Sequence, residues 1–243
     1  MSARTSRLLV VPDADAGAHE AAQLFRTAAE ESIAARDTFN VALSGGGTPK
    51  PLHRLLAANP NAIDWPRVRI FFGDERWVEP TDSRSNEKMA RETLLSHVNV
   101  APERVHGMYR PGSPADGAAF YEQAMRRELG AEGRLDLVIL GIGEDGHTAS
   151  LFPGMTEREE LNRGLVAVVG DSPKPPAGRI TLTFPALNRA RRVLILATGE
   201  GKAEAVSRAL SPGTAISDCP VRGVSPEAGS LTWIVDRAAY SGS

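Results

Sequence analysis

Short apolar runs alternate with amphipathic stretches along almost the whole chain, and this alternation constrains the fold more than any other feature. Four of the runs each lead into a glycine-containing loop: Phe39–Leu43, Val68–Phe72, Leu135–Leu140 and Arg192–Leu196. Short runs rich in branched residues and bounded by glycine are typical of strands buried on both faces of a parallel sheet. We therefore predict an α/β fold with a doubly wound, mostly parallel sheet flanked by helices, a Rossmann-like architecture.

The remaining segments fit the same alternation. Further strands are predicted at Leu8–Val11, Leu165–Val169, Ile180–Phe184 and Leu231–Val235. Helices are predicted at Ala18–Ile33, Pro51–Ala58, Asn86–Ser96, Ala115–Leu129 and Ala203–Leu210. We expect a single domain over residues 1–243, with an internal boundary at Pro111–Ala115 as the alternative.

Charge and cysteine content exclude several kinds of partner and site. The 28 Lys and Arg residues nearly balance the 30 Asp and Glu residues, and the net charge is −2. This balance gives no overall excess of positive charge that would bind nucleic acid or an anionic membrane. An anion site therefore has to be local. The single cysteine, Cys219, excludes an internal disulfide and a cysteine-based zinc cluster, and it fits a reducing cytosol.

The location expected from the sequence is the cytoplasm. No stretch approaches the roughly 18 consecutive apolar residues of a membrane span. The apolar run before Pro12 is too short for the core of a secretory signal. The arginines near the start of the sequence, Arg4 and Arg7, leave an organelle signal as the alternative.

The loop after Leu135–Leu140 is the centre of the candidate site. It reads LGIGEDGHTASLFPG, and its glycines allow tight turns that present Asp145 and His147 two positions apart. A carboxylate beside an imidazole can carry acid–base chemistry near neutral pH. The same glycines match the GxGxxG fingerprint of dinucleotide sites, although no long helix follows them. A dinucleotide site and a purely structural turn are therefore the alternatives.

Three other loops are expected to meet this one. In a parallel sheet every strand that is followed by a helix ends on the same edge, so the loops SGGGTP, GDER, GIGEDGHTAS and TGEGK become neighbours. The first loop suits a phosphate because Ser44, Gly45, Gly46 and Thr48 offer backbone amides, two hydroxyls and the start of a helix. Thr48 is the predicted N-cap of that helix. A glycine turn without a ligand is the alternative.

Charged side chains complete the candidate site. Lys202 lies at a predicted helix start, where a cation opposes the helix dipole and a bound anion would explain it; a solvated surface lysine is the alternative. Asp74 and Arg76 share one short loop, either as a substrate clamp or as a surface ion pair. Arg179 is a second candidate anion ligand, and the proline-rich loop Gly170–Gly178 before it is expected to run over the surface, where it could cover a site.

With these motifs quoted, the chain closely resembles the 6-phosphogluconolactonases, within the wider family that includes glucosamine-6-phosphate isomerases/deaminases. The matching segments follow family order: Leu43–Pro49, Phe71–Val78 with Ser85 and Asn86, Leu140–Gly154, Arg179–Ala190 and Thr198–Lys202. The resemblance implies hydrolysis of 6-phospho-D-glucono-1,5-lactone to 6-phosphogluconate in the oxidative pentose phosphate pathway, with no cofactor and no metal. It also implies a phosphate site made by the SGGGTP turn with Arg179 and Lys202, and a catalytic role for His147.

The resemblance separates two branches of that family. The deaminases look like DGHIAFNEP after the shared Asp-Gly-His, and the position of their glutamate falls on Phe152 in this chain. Their DEY is similar to Asp74-Glu75-Arg76 here. The missing acid argues against an isomerase/deaminase, which stays an alternative beside a non-catalytic sugar-phosphate sensor.

For a lactonase we expect His147 to act as general base toward water and then as acid toward the leaving hydroxyl. Asp145 would orient the imidazole or hold a sugar hydroxyl. Asp74 is a further candidate catalytic residue. Backbone N–H groups of the glycine loop, with Arg76, are the expected oxyanion donors. The expected partner is a small sugar-phosphate lactone, and the expected state is a monomer or a weak homodimer.

Overall fold

The computed structural model describes residues 5–240, and six of the nine strands in that range form a parallel sheet. The strands are β1 (Thr5–Val11), β2 (Phe39–Leu43), β3 (Val68–Phe72), β4 (Asp74–Arg76), β5 (Leu137–Gly141), β6 (Val166–Val169), β7 (Arg179–Leu182), β8 (Arg192–Ala197) and β9 (Ser230–Asp236). The parallel sheet has the order β1-β9-β8-β5-β2-β3. The predicted mostly parallel α/β sheet is confirmed.

Within the described range, six α-helices connect these strands. They are α1 (Ala14–Arg36), α2 (Pro49–Ala58), α3 (Asn86–Thr93), α4 (Pro114–Leu129), α5 (Phe184–Arg189) and α6 (Ala203–Leu210). Helix α1 buries a face of residues spaced three and four apart, including Ala18, Phe25 and Ala29, and it packs on β1, β2 and β9. In residues 5–240, no helix is at once long enough and apolar enough to cross a lipid bilayer.

The winding of the sheet reverses between β2 and β5. The chain passes from β2 outward to β3 at the edge, and it then returns to the other side of β2 to form β5, followed by β8 and β9. At such a reversal the loops that leave the two adjacent strands diverge and open a crevice at their carboxyl ends. The crevice here lies between the loop that starts at Ser44 and the loop that follows Gly141.

Two of the predicted strands lie outside the parallel sheet. Strands β6 and β7 pair antiparallel with each other, and β7 also pairs with β4, a segment that we expected to be a loop. Strand β7 is also shorter than predicted, because Thr183 leaves the strand and caps α5 by accepting from Ala186 N at 3.2 Å. The alternation of apolar segments along the chain carries no information about which sheet a strand joins.

The central strand β5 begins two residues later than predicted. The position before it, Asp136, is a buried carboxylate that accepts from the backbone and side chain of Asn40 at 2.9 and 3.1 Å. Arg36 and Arg191 place their guanidinium groups 2.8 and 3.3 Å from the same carboxylate. Asp136 therefore binds the amino ends of neighbouring strands together, at the edge of the sheet opposite the crevice.

Candidate active site

All four loops that were expected to meet line one cleft at the carboxyl edge of the parallel sheet. The cleft has a volume of about 250 Å³. Its lining includes every residue proposed from the sequence except Asp145: Ser44, Gly45, Gly46, Thr48, Asp74, Arg76, His147, Arg179 and Lys202. Asp145 lies directly behind His147 and contacts its ring. The structure therefore brings the proposed residues together, while their roles in binding or catalysis stay predictions.

His147 and Asp145 form a hydrogen-bonded pair. Nδ1 of the imidazole contacts Oδ1 of the carboxylate, and the backbone N–H of His147 donates to the same oxygen at 3.2 Å. The other oxygen, Oδ2, lies 3.4 Å from Nζ of Lys174. Burial by itself raises the pKa of Asp145, but the hydrogen bond and charge of His147, together with Lys174, hold that pKa well below its ordinary value. Asp145 is therefore an ionised acceptor, and Nδ1 of His147 carries the proton.

The glycines of this loop form a turn around the histidine. Gly143 N donates to His147 O at 2.8 Å, and Gly146 N donates to Gly143 O at 2.9 Å. A Cβ at position 143 would lie 1.9 Å from His147 Nδ1, and Gly146 has a φ of +88°. The ring of Phe152 is buried against the imidazole, with 4.8 Å between ring centroids. Gly143 and Gly146 of the GxGxxG pattern are thus accounted for by the turn that presents His147.

The SGGGTP loop packs against α3 through Asn86. Asn86 Nδ2 donates to the backbone and side-chain oxygens of Asp74 at 2.9 and 3.0 Å. A Cβ at position 45 would lie 1.9 Å from Asn86 Oδ1, so only glycine allows this approach. The predicted side-chain cap at Thr48 is wrong, because its backbone is already helical (φ −59°, ψ −40°) and its hydroxyl accepts no capping bond. Thr48 lines the cleft.

We expect Gly45→Ala to lower the free energy of unfolding by about 1–3 kcal/mol, the usual cost of forcing an extra carbon into a packed site. The added methyl would push Asn86 away from Asp74. Gly47→Ala is the matched control, because a Cβ there meets nothing within 4 Å and should leave stability unchanged or raise it by up to about 1 kcal/mol. Urea denaturation of both variants measures the difference, and equal stabilities would refute the contact.

The two acids of the GDER segment have different surroundings. Asp74 is buried, and its Oδ2 accepts from Ser150 Oγ at 2.7 Å and lies 3.9 Å from Arg179 Nη1. Glu75 accepts from the backbone N–H groups of Arg76 and Asn86, both at 2.7 Å. It also accepts from the backbone N–H of Glu87 at 2.8 Å, and it therefore caps the first turn of α3. Burial raises the pKa of Glu75 against these hydrogen bonds. The alternative of a surface Asp74–Arg76 pair is wrong, since Asp74 is paired inside the cleft wall with Arg179.

Arg179 holds the proline-rich loop against the cleft. Its Nε donates to Pro176 O at 2.9 Å, and its Nη2 donates to Lys174 O at 3.0 Å and Pro175 O at 3.3 Å. Burial lowers the pKa of its guanidinium, which the charge of Asp74 opposes. Arg179 lines the cleft as expected. Much of its donor capacity is nevertheless used to shape a loop.

Lys174 is the cationic cleft residue that sequence reasoning missed. It lies on the proline-rich loop, and the structure turns that part of the loop into the cleft beside Asp145. The available signal was a lysine flanked by Pro173 and Pro175, in a segment already expected to lie near a site. Glu144 and Asn86 also line the cleft without having been proposed.

Lys202 occupies the predicted helix start. It ends a 3₁₀ turn, Glu200–Lys202, directly before α6. The buried carboxylate of Asp236 fixes this turn by accepting from Gly199 N at 3.0 Å with both oxygens. Arg76 and Lys174 also line the cleft, so its lining carries several cationic groups, which suit an anionic ligand. In residues 5–240, no group of three or more His, Cys, Asp and Glu side chains is arranged to hold a metal ion.

Comparison with known proteins is consistent with this geometry. Residues 12–233 match the family model described as glucosamine-6-phosphate isomerases/6-phosphogluconolactonase. A 6-phosphogluconolactonase of Mycobacterium tuberculosis is 38% identical over 97% of both chains, and one of Nostoc is 37% identical over 95% of both. The crystal structure of a 6-phosphogluconolactonase from Thermotoga maritima is 29% identical, with a TM-score of 0.83 over 96% of this chain and 100% of that chain. The chain therefore belongs to the glucosamine-6-phosphate isomerase/6-phosphogluconolactonase family.

Proposed function

We propose that this protein hydrolyses 6-phospho-D-glucono-1,5-lactone to 6-phospho-D-gluconate, in the oxidative pentose phosphate pathway and in the cytoplasm. The observation that carries the proposal is the His147–Asp145 pair at the wall of a cleft lined by cationic side chains. The names of the relatives in Mycobacterium and Nostoc support the same reaction. The pair supplies a base for the lactone end of the substrate, and the cations suit its phosphate.

His147 is the proposed general base and acid. Because Asp145 is ionised and accepts from Nδ1, Nε2 is the basic nitrogen of the ring. It takes a proton from water as the water oxygen bonds to the lactone carbonyl carbon. The tetrahedral intermediate then re-forms its carbonyl as the bond to the ring oxygen breaks, and the ring oxygen takes the proton from His147. Asp145 keeps the imidazole in the required tautomer and orientation.

Phe152 argues against the isomerase/deaminase reaction. Ring opening of an amino-sugar phosphate calls for an acid beside the catalytic histidine, which the resemblance places at position 152. That position holds a buried phenyl ring, 4.8 Å from the imidazole between centroids. The surroundings of His147 on this side are therefore apolar and offer no proton.

The phosphate is proposed to bind between the SGGGTP loop and Lys202. We expect Lys202→Ala to raise KM for the lactone roughly tenfold or more, with kcat nearly preserved, because a charge-assisted phosphate contact contributes about 1.5–3 kcal/mol. Steady-state kinetics measure both constants, and Lys50→Ala, on the first turn of α2 outside the lining of the cleft, is the control. An unchanged KM would remove Lys202 from the phosphate site.

The activity itself is tested by generating the lactone in the assay mixture and following the release of acid. The rate of spontaneous lactone opening without protein is the reference. Acceleration by the wild-type protein supports the proposal. No acceleration by a folded protein overturns it, and ammonia release from glucosamine 6-phosphate would then identify the deaminase. Saturable binding of 6-phosphogluconate without turnover of either substrate would identify a sugar-phosphate sensor.

A further inference from the structure

Stabilising the negative oxygen of the tetrahedral intermediate calls for donors aimed at the lactone carbonyl. The amides of the glycine loop were expected to do this, but three of them are already occupied. Gly143 N donates to His147 O, Gly146 N donates to Gly143 O, and His147 N donates to Asp145 Oδ1. These hydrogen bonds build the turn that presents the imidazole. Using them for an oxyanion would dismantle that turn.

The guanidinium groups of the cleft are also partly occupied. Arg76, the other expected donor, gives Nη1 to the carbonyl of Arg84 at 2.6 Å. Arg179 gives Nε and Nη2 to the carbonyls of the proline-rich loop, and its Nη1 faces Asp74 at 3.9 Å. Arg179 thus serves mainly to hold a neighbouring segment in place, whereas Arg76 uses one nitrogen for such a contact and its buried Nε donates to no acceptor within residues 5–240. The two lysines of the cleft, Lys174 and Lys202, are the remaining cations of its lining.

Of the two lysines in the cleft, Lys174 is the one that lies beside the His147–Asp145 pair. Its Nζ lies 3.4 Å from Oδ2 of Asp145, whose Oδ1 contacts His147. The ammonium group and the imidazole therefore flank the same carboxylate. An ammonium carries three donors, so the contact with Asp145 leaves donors for a second anion.

The backbone of Lys174 is held from several sides. Its N–H donates to Ser172 Oγ at 3.2 Å, and its carbonyl accepts from Ser172 Oγ at 2.9 Å and from Arg179 Nη2 at 3.0 Å. Prolines precede and follow it in the chain. Fixing φ at both neighbours restricts the loop, so the base of the lysine side chain is preorganised.

We propose that Lys174 stabilises the oxyanion of the lactone intermediate, an inference that rests on the proposed hydrolysis. As the water oxygen bonds to the carbonyl carbon and His147 takes the water proton, the π electrons of the carbonyl move onto its oxygen. The ammonium group of Lys174 balances that charge and transfers no proton. The charge disappears when the carbonyl re-forms, the bond to the ring oxygen breaks and His147 protonates that oxygen.

The test compares Lys174→Met with Lys202→Met. A buried oxyanion donor contributes about 10²–10³ in kcat, but the side chain of Lys174 is 44% exposed and its charge is partly screened. We therefore expect Lys174→Met to lower kcat by roughly 10- to 100-fold, with KM and the affinity for inorganic phosphate within about twofold of wild type. Lys202→Met should show the opposite pattern, and Lys174→Arg should recover most of the lost rate.

Each other result counts against the proposal in its own way. An unchanged kcat in Lys174→Met makes Lys174 a surface ion pair, and a raised KM with weaker phosphate binding by calorimetry makes it a phosphate ligand. A rate loss that vanishes in the Asp145→Asn background means that Lys174 acts only through Asp145. No lactone hydrolysis by the wild-type protein overturns the proposed function and this inference together, whereas wild-type hydrolysis unaffected by Lys174→Met overturns the inference alone.

Discussion

His147→Ala should lower kcat for lactone opening by roughly 10²–10⁴, the usual contribution of a general acid–base group. The ring is the proton carrier of the proposed reaction, and its side chain is 19% exposed at the wall of the cleft, where water can reach it. Asp145 fixes its orientation through Nδ1. KM and the affinity for inorganic phosphate should stay within a few-fold of wild type, because the ring contributes to the reaction step rather than to phosphate binding.

The measurement is a steady-state assay with the spontaneous opening of the lactone subtracted at each substrate concentration. His19→Ala is the matched control, because His19 is an exposed histidine on α1, outside the cleft lining, whose ring nitrogen hydrogen-bonds to Asp15 O of the same helix. Far-UV circular dichroism confirms that both variants fold. A kcat for His147→Ala close to the wild-type value would remove His147 from the mechanism.

Asp136→Ala should lower the free energy of unfolding by at most about 3–5 kcal/mol, the cost of removing one partner from a fully buried ion pair, because the carboxylate is buried while the side chains of Arg36 and Arg191 are 35% and 36% exposed. Asp136 is 1% exposed and binds Asn40 and Arg36, with Arg191 3.3 Å away. Its loss leaves the N–H groups of Asn40 and two cations without their acceptor at the amino ends of the central strands. Since the cleft lies at the other edge of the sheet, kcat per folded molecule should not change.

Urea denaturation at a temperature where the variant stays mostly folded measures this loss. Asp64→Ala is the control: Asp64 is half-exposed and lies 3.2 Å from Arg67, so its removal should cost less than about 1 kcal/mol. A loss of similar size in the two variants would show that burial adds nothing to the Asp136 network. A fall in kcat for Asp136→Ala would show that the two edges of the sheet are coupled.

Local features of the chain allowed much of the fold to be predicted. Short branched runs bounded by glycine predicted the strands of the parallel sheet, and their common carboxyl edge predicted that four loops meet. These inferences succeeded because each depends on the few residues next to a strand. The strand order, and with it the crevice between β2 and β5, was beyond such patterns.

What the tertiary structure decided concerns residues whose partners lie far away in the chain. Asp74 contacts Ser150 and Arg179, and Lys174 reaches Asp145 because a buried guanidinium holds its loop. Sequence patterns marked Asp74 and Arg179 as charged groups near a strand end, without showing that they hold other segments in place. The sequence by itself determined which loops gather and that His147 is among them. Only packing between distant segments decided which donors are already used and which remain for the substrate, because a hydrogen bond made inside the protein is unavailable to a ligand.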